Sequence, residues 1–262
     1  VMPQSFGPFD YPKWAGWGLM RNAKRTLQYP KKIYAREQAG FDVMKTYCLA
    51  ENLFLAPDLV LLGEHLNPKH FYRNPRLMKT YEIKPGSVAV IPNQKLKVHA
   101  ADVNGQEIYE SAVRALLREG KNVYIIRHCD SDREFCAALA DKFGSEDKVM
   151  YIDDEIDCIE FSGLIAQVDF AVASRYHGVV HSYKAGTPCV VIGWADKYQE
   201  LAGQVAQERY VMDLSEYNER TLNGIIHEMS KNFRKEKQTI AHKYMQLIEN
   251  SDLYETAFGW MR

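Results

Sequence analysis

Short apolar runs alternate along most of this chain with stretches in which apolar positions recur every three or four residues. The short runs predict buried strands, and the recurring positions predict helices with one apolar face. In the first part of the chain the pattern predicts, in order, a helix over 16–28, a short strand over 33–36, a helix over 38–49, and a further apolar run over 53–62 that Pro57 interrupts.

The same alternation continues in the second part of the chain with longer apolar runs. Strands are predicted over 87–93, over 122–128, over 148–152, from residue 170, from Pro188, and over 210–214. Helices are predicted over 107–118, from Asp130 or Ser131 to Phe143, over 159–167, up to Gly186, over 218–233, and over 235–258. Continuous apolar strands that alternate with helices favour an α/β fold whose parallel sheet is covered on both faces.

Residues 63–86 lose this periodicity and contain turn-forming pairs such as Asn67-Pro68 and Pro85-Gly86. We therefore interpret 63–86 as a linker between an N-terminal lobe at 1–62 and a C-terminal lobe at 87–262, which includes the terminal helices. The segment that starts at Val1 resembles the end of a buried strand, so we expect further sequence before it.

Composition and charge narrow the class of protein. The 262 residues leave room for one large domain or two modest ones. The formal net charge of -1 gives no basic footprint for a nucleic-acid partner, although a local cluster of Arg and His still suits a small anionic substrate. No apolar run approaches the ~20 residues of a membrane span, so a cytoplasmic protein is expected.

The five cysteines are widely spaced, and none forms a Cys-x-x-Cys pair. This spacing is typical of reduced thiols in a cytosolic protein and speaks against a disulfide framework or a structural zinc site. His177 and His181 have the i, i+4 spacing of some metal-binding helices, but no Glu-x-x-His context accompanies them. We therefore expect no metal.

The most informative stretch runs from Phe170 to Trp194 and combines an apolar strand, a polar turn, a short helix and a second apolar strand. Its turn contains Ser174, Arg175 and His177, at the point where the strand ends and the helix begins. Backbone N–H groups and the dipole at a helix start favour an anion, and an arginine fork suits phosphate or carboxylate. The turn therefore predicts a site for a small phosphorylated or carboxylated molecule.

Within this turn we expect Arg175 and His177 to face one ligand, because side chains alternate in direction along an extended segment. Gly178 lets the chain approach closely at the turn. Each of the two charged residues also has a structural interpretation. Arg175 is then the partner of a carboxylate on a neighbouring helix, and His177 is a cap residue bonded to a local carbonyl.

Other polar residues follow predicted strands, which is where parallel sheets bind ligands. Arg36, Asn93 and His128 each end a strand, and each is a candidate ligand-binding residue. The alternative for Arg36 is a surface ion pair with Glu37 or Asp42. The alternative for Asn93 and His128 is capping of a loop.

A last group of candidates lies in loops. Gln4 and Ser5 either line the site or satisfy backbone groups of a Gly/Pro loop. Trp194, Lys197 and Tyr198 are candidates for stacking on a sugar or bonding to it, with core packing as the alternative for Trp194. Asp130 and Asp132 are interpreted as helix caps before any functional role.

Several motifs together resemble the polysaccharide pyruvyl transferase family. They are P-Q-S-F-G-P-F at 3–9, I-Y-A-R-E at 33–37, A-S-R-Y-H-G at 173–178, A-G-T-P at 185–188 and V-V-I-G-W-A-D-K-Y-Q-E-L at 190–201. The resemblance implies a GT-B-like α/β fold of two Rossmann-like lobes with parallel sheets, the N-terminal lobe being incomplete and the active site lying in the cleft. It also implies transfer of a pyruvyl group from phosphoenolpyruvate to two hydroxyls of a sugar, which forms a cyclic ketal and releases phosphate.

The resemblance implies roles for the candidate residues. His177 is the catalytic acid/base, and Arg175 with Arg36 anchors phosphoenolpyruvate. The remaining candidates are implied to bind substrate: Gln4, Asn93, His128, Ser174, Gly178, Trp194, Lys197 and Tyr198. Phosphoenolpyruvate is the donor, no cofactor or metal is expected, and the acceptor is a sugar of a capsule, an exopolysaccharide or a lipid-linked oligosaccharide.

The expected location is the cytoplasm, and a lipid-linked acceptor would place the protein at the inner face of the cell membrane. The basic run Lys231–Lys237 includes Glu236 and is typical of a solvated helix face, with peripheral membrane contact as the second interpretation.

Two other functions remain open from the sequence. A GT-B glycosyltransferase would bind the diphosphate of a nucleotide sugar at the same helix end. A Glu-rich ribose-binding segment would favour that function, and Asp196 and Glu200 are a poor substitute for one. The other alternative is a non-catalytic relic of the fold that binds a sugar.

Overall fold

The computed structural model describes residues 1–7, 13–63, 67–74, 77–96 and 104–259. They form two compact units, one made of residues 1–63 and 246–262 and the other of residues 64–245. From the sequence, the terminal helices are expected in the C-terminal lobe and a linker is expected at 63–86. In the structure, residues from 246 onward group with the first unit and residues 64–86 with the second.

The first unit contains a two-stranded parallel sheet of β1 (Ile33–Ala35) and β2 (Leu53–Leu55). Gln4 extends this sheet through an isolated parallel bridge to Ala35. Up to residue 63, the α-helices that the structure describes are α1 (Lys13–Thr26), α2 (Gln38–Met44) and α3 (Leu59–Leu62). The apolar run predicted over 53–62 therefore splits into a strand and a helix, because Pro57 interrupts it and Asp58 caps the helix by accepting from the Val60 N–H at 2.8 Å.

The second unit contains a six-stranded parallel sheet in the order β5-β4-β3-β6-β7-β8. Its strands are β3 (Ser87–Ile91), β4 (Asn122–Ile126), β5 (Val149–Ile152), β6 (Phe170–Ala173), β7 (Cys189–Gly193) and β8 (Val211–Asp213). This is the strand order of a Rossmann domain. The predicted class, α/β with parallel sheets, is confirmed.

Helices cover both faces of this sheet, which is why its strands are mostly apolar. The helices are α4 (Pro68–Phe71), α5 (Gly105–Arg118), α6 (Arg133–Lys142), α7 (Cys158–Ile165), α8 (Tyr176–Lys184), α9 (Asp196–Gly203) and α10 (Glu219–Glu249), and α11 (Leu253–Phe258) follows in the first unit. Alternate strand residues such as Val90 and Val172 pack with apolar residues of α5, α6 and α10. The other strand residues, such as Ile91, face α8.

Two terminal helices are predicted over 218–233 and 235–258, but the predicted break near residue 234 is wrong. Helix α10 runs without interruption from Glu219 to Glu249. No Gly or Pro lies between positions 224 and 259, and Glu236 turns inward, where it accepts from Gln207 Nε2 at 2.7 Å. Despite the length of α10, none of the helices that the structure describes is both long and apolar enough to cross a membrane.

Helix α8 ends in a Schellman motif, as its terminal glycine predicts. The N–H of Gly186 donates to the carbonyl of Tyr183 at 3.0 Å, and the N–H of Thr187 donates to the carbonyl of Ser182 at 2.8 Å. Gly186 has φ 70°, a conformation that glycine adopts without strain. This turn directs the chain from α8 into β7.

Two glycine substitutions test this cap. Gly186→Ala is expected to lower the free energy of unfolding by about 1 kcal/mol, because the left-handed conformation strains an L-residue. Gly224→Ala, in the interior of α10 with open space at its Cα, is expected to raise the free energy of unfolding by about 0.5–1 kcal/mol. Urea denaturation measures both, and a Gly186→Ala protein as stable as the wild type would contradict the assignment.

Candidate active site

The candidate site lies where the strand order of the second unit reverses. From β3 the chain continues to β4 on one side, and from β6 it continues to β7 on the other, while β3 and β6 are neighbours. Ligands of open α/β sheets bind in the crevice outside the carboxyl ends of such a pair of strands. Asn93 follows β3 at this point, and Ser174 and Arg175 follow β6.

Ser174 is completely buried and fixes the turn after β6. Its carbonyl accepts from Asn93 Nδ2 at 3.2 Å and from the Tyr198 hydroxyl at 2.8 Å. Its own hydroxyl bonds with the hydroxyl of Tyr109, another completely buried residue. Asn93, Ser174 and Tyr198 therefore come together as predicted candidates, and in this structure they bond to each other and shape the turn.

Arg175 is held by a buried carboxylate. Its Nε donates to Asp132 Oδ2 at 2.7 Å, and its Nη2 donates to Asp132 Oδ1 and, at 3.1 Å, to the Ser131 hydroxyl. Asp132 has no solvent exposure and also accepts from the Gln94 N–H at 3.1 Å. One edge of the guanidinium is thereby occupied, and Arg175 Nη1 makes no hydrogen bond to any residue that the structure describes.

The contact with Asp132 also keeps the guanidinium of Arg175 protonated. Burial lowers the pKa of Arg175, but the hydrogen bonds and charge of Asp132 raise the pKa by more. The guanidinium therefore stays charged next to the start of α8. A fixed cation at a helix N-terminus suits an anionic ligand.

Helix α8 begins at Tyr176, so Arg175 is its N-cap residue. The expectation that Arg175 and His177 point the same way by strand alternation is therefore wrong, because His177 already lies in the first helical turn. The His177 side chain is exposed, and its ring meets the Tyr176 ring edge-on at 5.6 Å between centroids. Arg175 makes no side-chain cap to α8, because a guanidinium has no acceptor atom for the N–H groups of the first turn.

Gly178 lies inside α8 and brings the helix against the sheet. A Cβ atom at this position would lie 3.3 Å from Ile91 Cγ2 on β3. The close approach that the sequence predicts at Gly178 is thus between helix and strand.

His128 packs against Phe161, with its ring edge-on at 5.0 Å between centroids. His181 also meets the Phe161 ring edge-on, at 5.5 Å between centroids, and its Nδ1 bonds with the Ser162 hydroxyl at 2.8 Å. Burial, followed by the nearby charges of His181, Arg175 and His177, lowers the pKa of His128 to about 4. His128 is therefore neutral at pH 7.

Aromatic residues and one lysine surround the start of α8. The Tyr198 ring lies 5.2 Å from Trp194 and 5.9 Å from Tyr176, between centroids. Lys197 Nζ lies over the Tyr176 and Tyr198 rings at 5.7 and 5.5 Å. Gly193 makes room for this cluster, because a Cβ there would lie 2.9 Å from Tyr198 Cβ.

Arg36 and Gln4 belong to the first unit. Arg36 pairs with Glu37 at 2.7 Å and with Asp58 at 2.7 Å, and its Nη2 donates to the Ser5 hydroxyl at 2.8 Å. Its pairing with Glu37 is the structural alternative that the sequence left open. The N–H of Arg36 donates to the Gln4 carbonyl at 3.2 Å.

The sequence does not predict the contacts that Asp132 and Tyr109 make in the site. Asp132 precedes α6, and its position explains the interpretation as a helix cap, but its side chain instead binds Arg175 and makes no cap bond to α6. Tyr109 fits the apolar face of α5 and carries no motif. In both cases the partner comes from a distant strand end. Among the residues that the structure describes, no group of three or more His, Cys, Asp or Glu could hold a metal ion.

Comparison with known proteins gives a family and a fold. The family model for polysaccharide pyruvyl transferase matches residues 1–196. No curated protein shows significant similarity to the chain.

Similar solved structures share the GT-B fold at low identity. The UDP-GlcNAc 2-epimerase of Methanocaldococcus jannaschii is 13% identical with a TM-score of 0.53, over 76% of this chain and 54% of that chain. TarM is 10% identical with a TM-score of 0.57, over 98% and 47%. A UDP-forming trehalose-phosphate synthase from Burkholderia xenovorans is 11% identical with a TM-score of 0.57, over 98% and 66%. The chain thus spans 47–66% of these proteins, and the likeness establishes the fold alone.

Gly193→Ala tests the close packing of Tyr198. The added methyl group is expected to displace the Tyr198 ring, weaken its hydrogen bond to the Ser174 carbonyl and lower the free energy of unfolding by about 1–3 kcal/mol. The matched control is Gly163→Ala in α7, where nothing lies within 4 Å of the added atom. Urea denaturation compares the two, and equal stability of both variants would contradict the packing described.

The lowered pKa of His128 predicts a pH dependence of stability. Between pH 6.5 and about 4 the unfolded chain binds more protons at His128 than the folded protein does. The free energy of unfolding should therefore fall as the pH is lowered through this window, with this residue adding a slope of up to about 1.4 kcal/mol per pH unit. Urea titrations at several pH values should show a shallower slope for His128→Gln, and identical slopes would refute the assignment.

Proposed function

The chain belongs to the polysaccharide pyruvyl transferase family, and from this premise we propose that it transfers a pyruvyl group from phosphoenolpyruvate to a sugar as a cyclic ketal. The acceptor would be a sugar of a polysaccharide or of a lipid-linked precursor. A cytoplasmic location, at the inner face of the membrane when the acceptor is lipid-linked, belongs to the same proposal.

One observation carries the donor assignment. Arg175 is fixed by the buried Asp132 at the start of α8, at the point where the strand order reverses. Phosphoenolpyruvate carries a phosphate and a carboxylate. Arg175 Nη1 and the amides of the first turn of α8 would bind one of these groups. Arg36, the second anchor expected from the sequence, pairs with Glu37 and Asp58 within its own unit in this structure.

His177 is the proposed acid/base. It lies in the first turn of α8, two residues from Arg175, and its side chain is exposed to a ligand. The unperturbed pKa of histidine lies near neutrality, so an imidazole can both give and accept a proton at physiological pH.

The proposed reaction begins with a proton added to the methylene carbon of phosphoenolpyruvate, which leaves positive character at C2. A first sugar hydroxyl attacks C2 and loses its proton. The C2–O bond to phosphate then breaks, the electron pair leaves with the phosphate, and a second hydroxyl attacks C2 and loses its proton. The methylene carbon takes up one proton and the two sugar hydroxyls release one each. Because one of the released protons stays on the departing phosphate, the protons balance. Arg175 would stabilise the charge that develops on that phosphate.

Tyr198 is only 1% exposed and its hydroxyl bonds to the Ser174 carbonyl, so it cannot stack on a sugar as the sequence suggested, but its partly exposed aromatic neighbours support a sugar acceptor. Trp194 and Tyr176 flank Tyr198, and Lys197 lies over two of the rings. Aromatic faces provide apolar area for the C–H face of a sugar ring, and a lysine can bond to its hydroxyls. Asn93, Ser174 and Gly178 would act by shaping the turn, and neutral His128 would donate or accept a hydrogen bond.

A glycosyltransferase that uses a nucleotide sugar is the second candidate. Its support is the GT-B fold, which the chain shares with a UDP-forming synthase and with an epimerase solved in complex with UDP-GlcNAc and UDP. The same helix N-terminus would then bind a diphosphate. A relic that binds a sugar without catalysis is the third candidate.

His177→Ala tests the acid/base assignment. We expect phosphate release from phosphoenolpyruvate, in the presence of acceptor, to fall by about 100-fold or more, since positioned proton transfer contributes factors of this size. The far-ultraviolet circular dichroism spectrum should stay unchanged because the side chain is exposed. Turnover equal to the wild type would eliminate His177 as the acid/base.

Arg175→Lys tests the donor site. Lysine lacks the planar fork that pairs with both oxygens of Asp132 and still directs a separate nitrogen at the ligand, so we expect the affinity for phosphoenolpyruvate in calorimetry to fall about tenfold or more. Arg133→Lys is the matched control, because Arg133 is half-exposed and pairs with Asp153 instead. Titration with a panel of nucleotide sugars distinguishes the second candidate, and binding of neither ligand class would favour the relic.

A further inference from the structure

The first unit contains a strongly basic segment, which we define as residues 13–32. It has no Asp or Glu in a chain whose formal net charge is -1. Its basic residues are Lys13, Arg21, Lys24, Arg25, Lys31 and Lys32. Such local segregation of charge is not needed to fold α1, so it points to a partner of opposite charge.

The structure separates the inner and outer sides of this segment. Ala23 and Leu27 of the segment pack against the core cluster around Ile33 and Met44. Lys32 is partly buried, and its ammonium group donates to the Thr256 carbonyl. Ala23, Leu27 and Lys32 therefore belong to the inner side of the segment.

The exposed residues of the segment include basic and large apolar ones. Arg21, Lys24, Arg25 and Lys31 are exposed. Large apolar side chains are exposed beside them, with Tyr29 at 77%, Leu19 at 43% and Met20 at 41%. A helix that carries cations together with exposed apolar side chains is typical of the interface between lipid headgroups and acyl chains.

We propose that the basic segment 13–32 docks the protein on an anionic lipid surface. The cations contact the headgroups, and Tyr29, Leu19 and Met20 insert at the level of the headgroup–acyl boundary. The positive charge of the segment favours an anionic membrane. The exposed apolar residues distinguish this surface from a charged surface that only keeps protein molecules apart in solution. The proposal does not depend on pyruvyl transfer, because the segment lies apart in sequence and unit from Arg175 and His177.

A second basic stretch supplies the matched control. Lys231, Arg234 and Lys235 are exposed on α10, and Glu236 between them and Lys237 is buried, where it binds Arg209. These three cations equal in number Arg21, Lys24 and Arg25, the cations of α1 that the structure describes as exposed. They lie on a helix segment without the exposed aromatic side chain found at Tyr29.

The experiment is co-sedimentation of the whole chain with vesicles. One set contains equal parts of phosphatidylglycerol and phosphatidylcholine, and the other contains phosphatidylcholine alone. The variants are Arg21→Gln/Lys24→Gln/Arg25→Gln on α1, the control Lys231→Gln/Arg234→Gln/Lys235→Gln on α10, and Tyr29→Ser. All changed side chains are exposed, and circular dichroism verifies that each variant folds.

We expect the wild type to bind the anionic vesicles, with partition that falls as salt rises, and to leave phosphatidylcholine vesicles unbound. Each cation contributes roughly a fivefold factor in partition, so the α1 variant should lose about 100-fold and the α10 control less than about threefold. Tyr29→Ser should weaken binding at constant charge. The proposal is overturned if the wild type does not bind anionic vesicles, if the α1 variant keeps its partition, or if the α10 control loses as much as the α1 variant.

Discussion

The Asp132 carboxylate is completely buried, and the guanidinium of Arg175 balances its charge through two of its nitrogens. Removing one partner of such a pair leaves an uncompensated charge away from water, which is costly. The pair therefore ties the segment after β4 to the turn after β6, and the Gln94 N–H adds the segment after β3. Three strand ends at the reversal point of the sheet are fixed by one carboxylate.

Packing at small residues gives this arrangement its precision. Gly178 lets α8 lie against Ile91, and Gly193 makes room for Tyr198, whose hydroxyl reaches the carbonyl of Ser174. The N-terminus of α8 is thus held from the strand side and from the side of the aromatic cluster. A fixed helix start beside a fixed cation does not have to reorganise when an anion binds, which is how preorganised sites stabilise developing charge.

The sequence predicts the alternation of strands and helices, the parallel sheet and the location of the site, because these follow from local patterns of apolar residues and from the turn that contains Arg175. It does not predict the role of Asp132 or Tyr109. Their positions match a helix cap and an apolar helix face, and their partners are distant along the chain. The break predicted near residue 234 fails for a related reason, since the inward turn of Glu236 depends on Gln207 and Arg209.

Arg175 and the start of α8 are proposed to form the binding site of phosphoenolpyruvate. The decisive experiment is a crystal structure of the protein soaked with phosphoenolpyruvate. We expect the phosphate or the carboxylate within hydrogen-bond distance of Arg175 Nη1 and of the backbone amides at 176–178, with the Asp132 pair intact and His177 beside the methylene carbon. Phosphoenolpyruvate bound elsewhere, or a nucleotide sugar that occupies this position in its place, would contradict it.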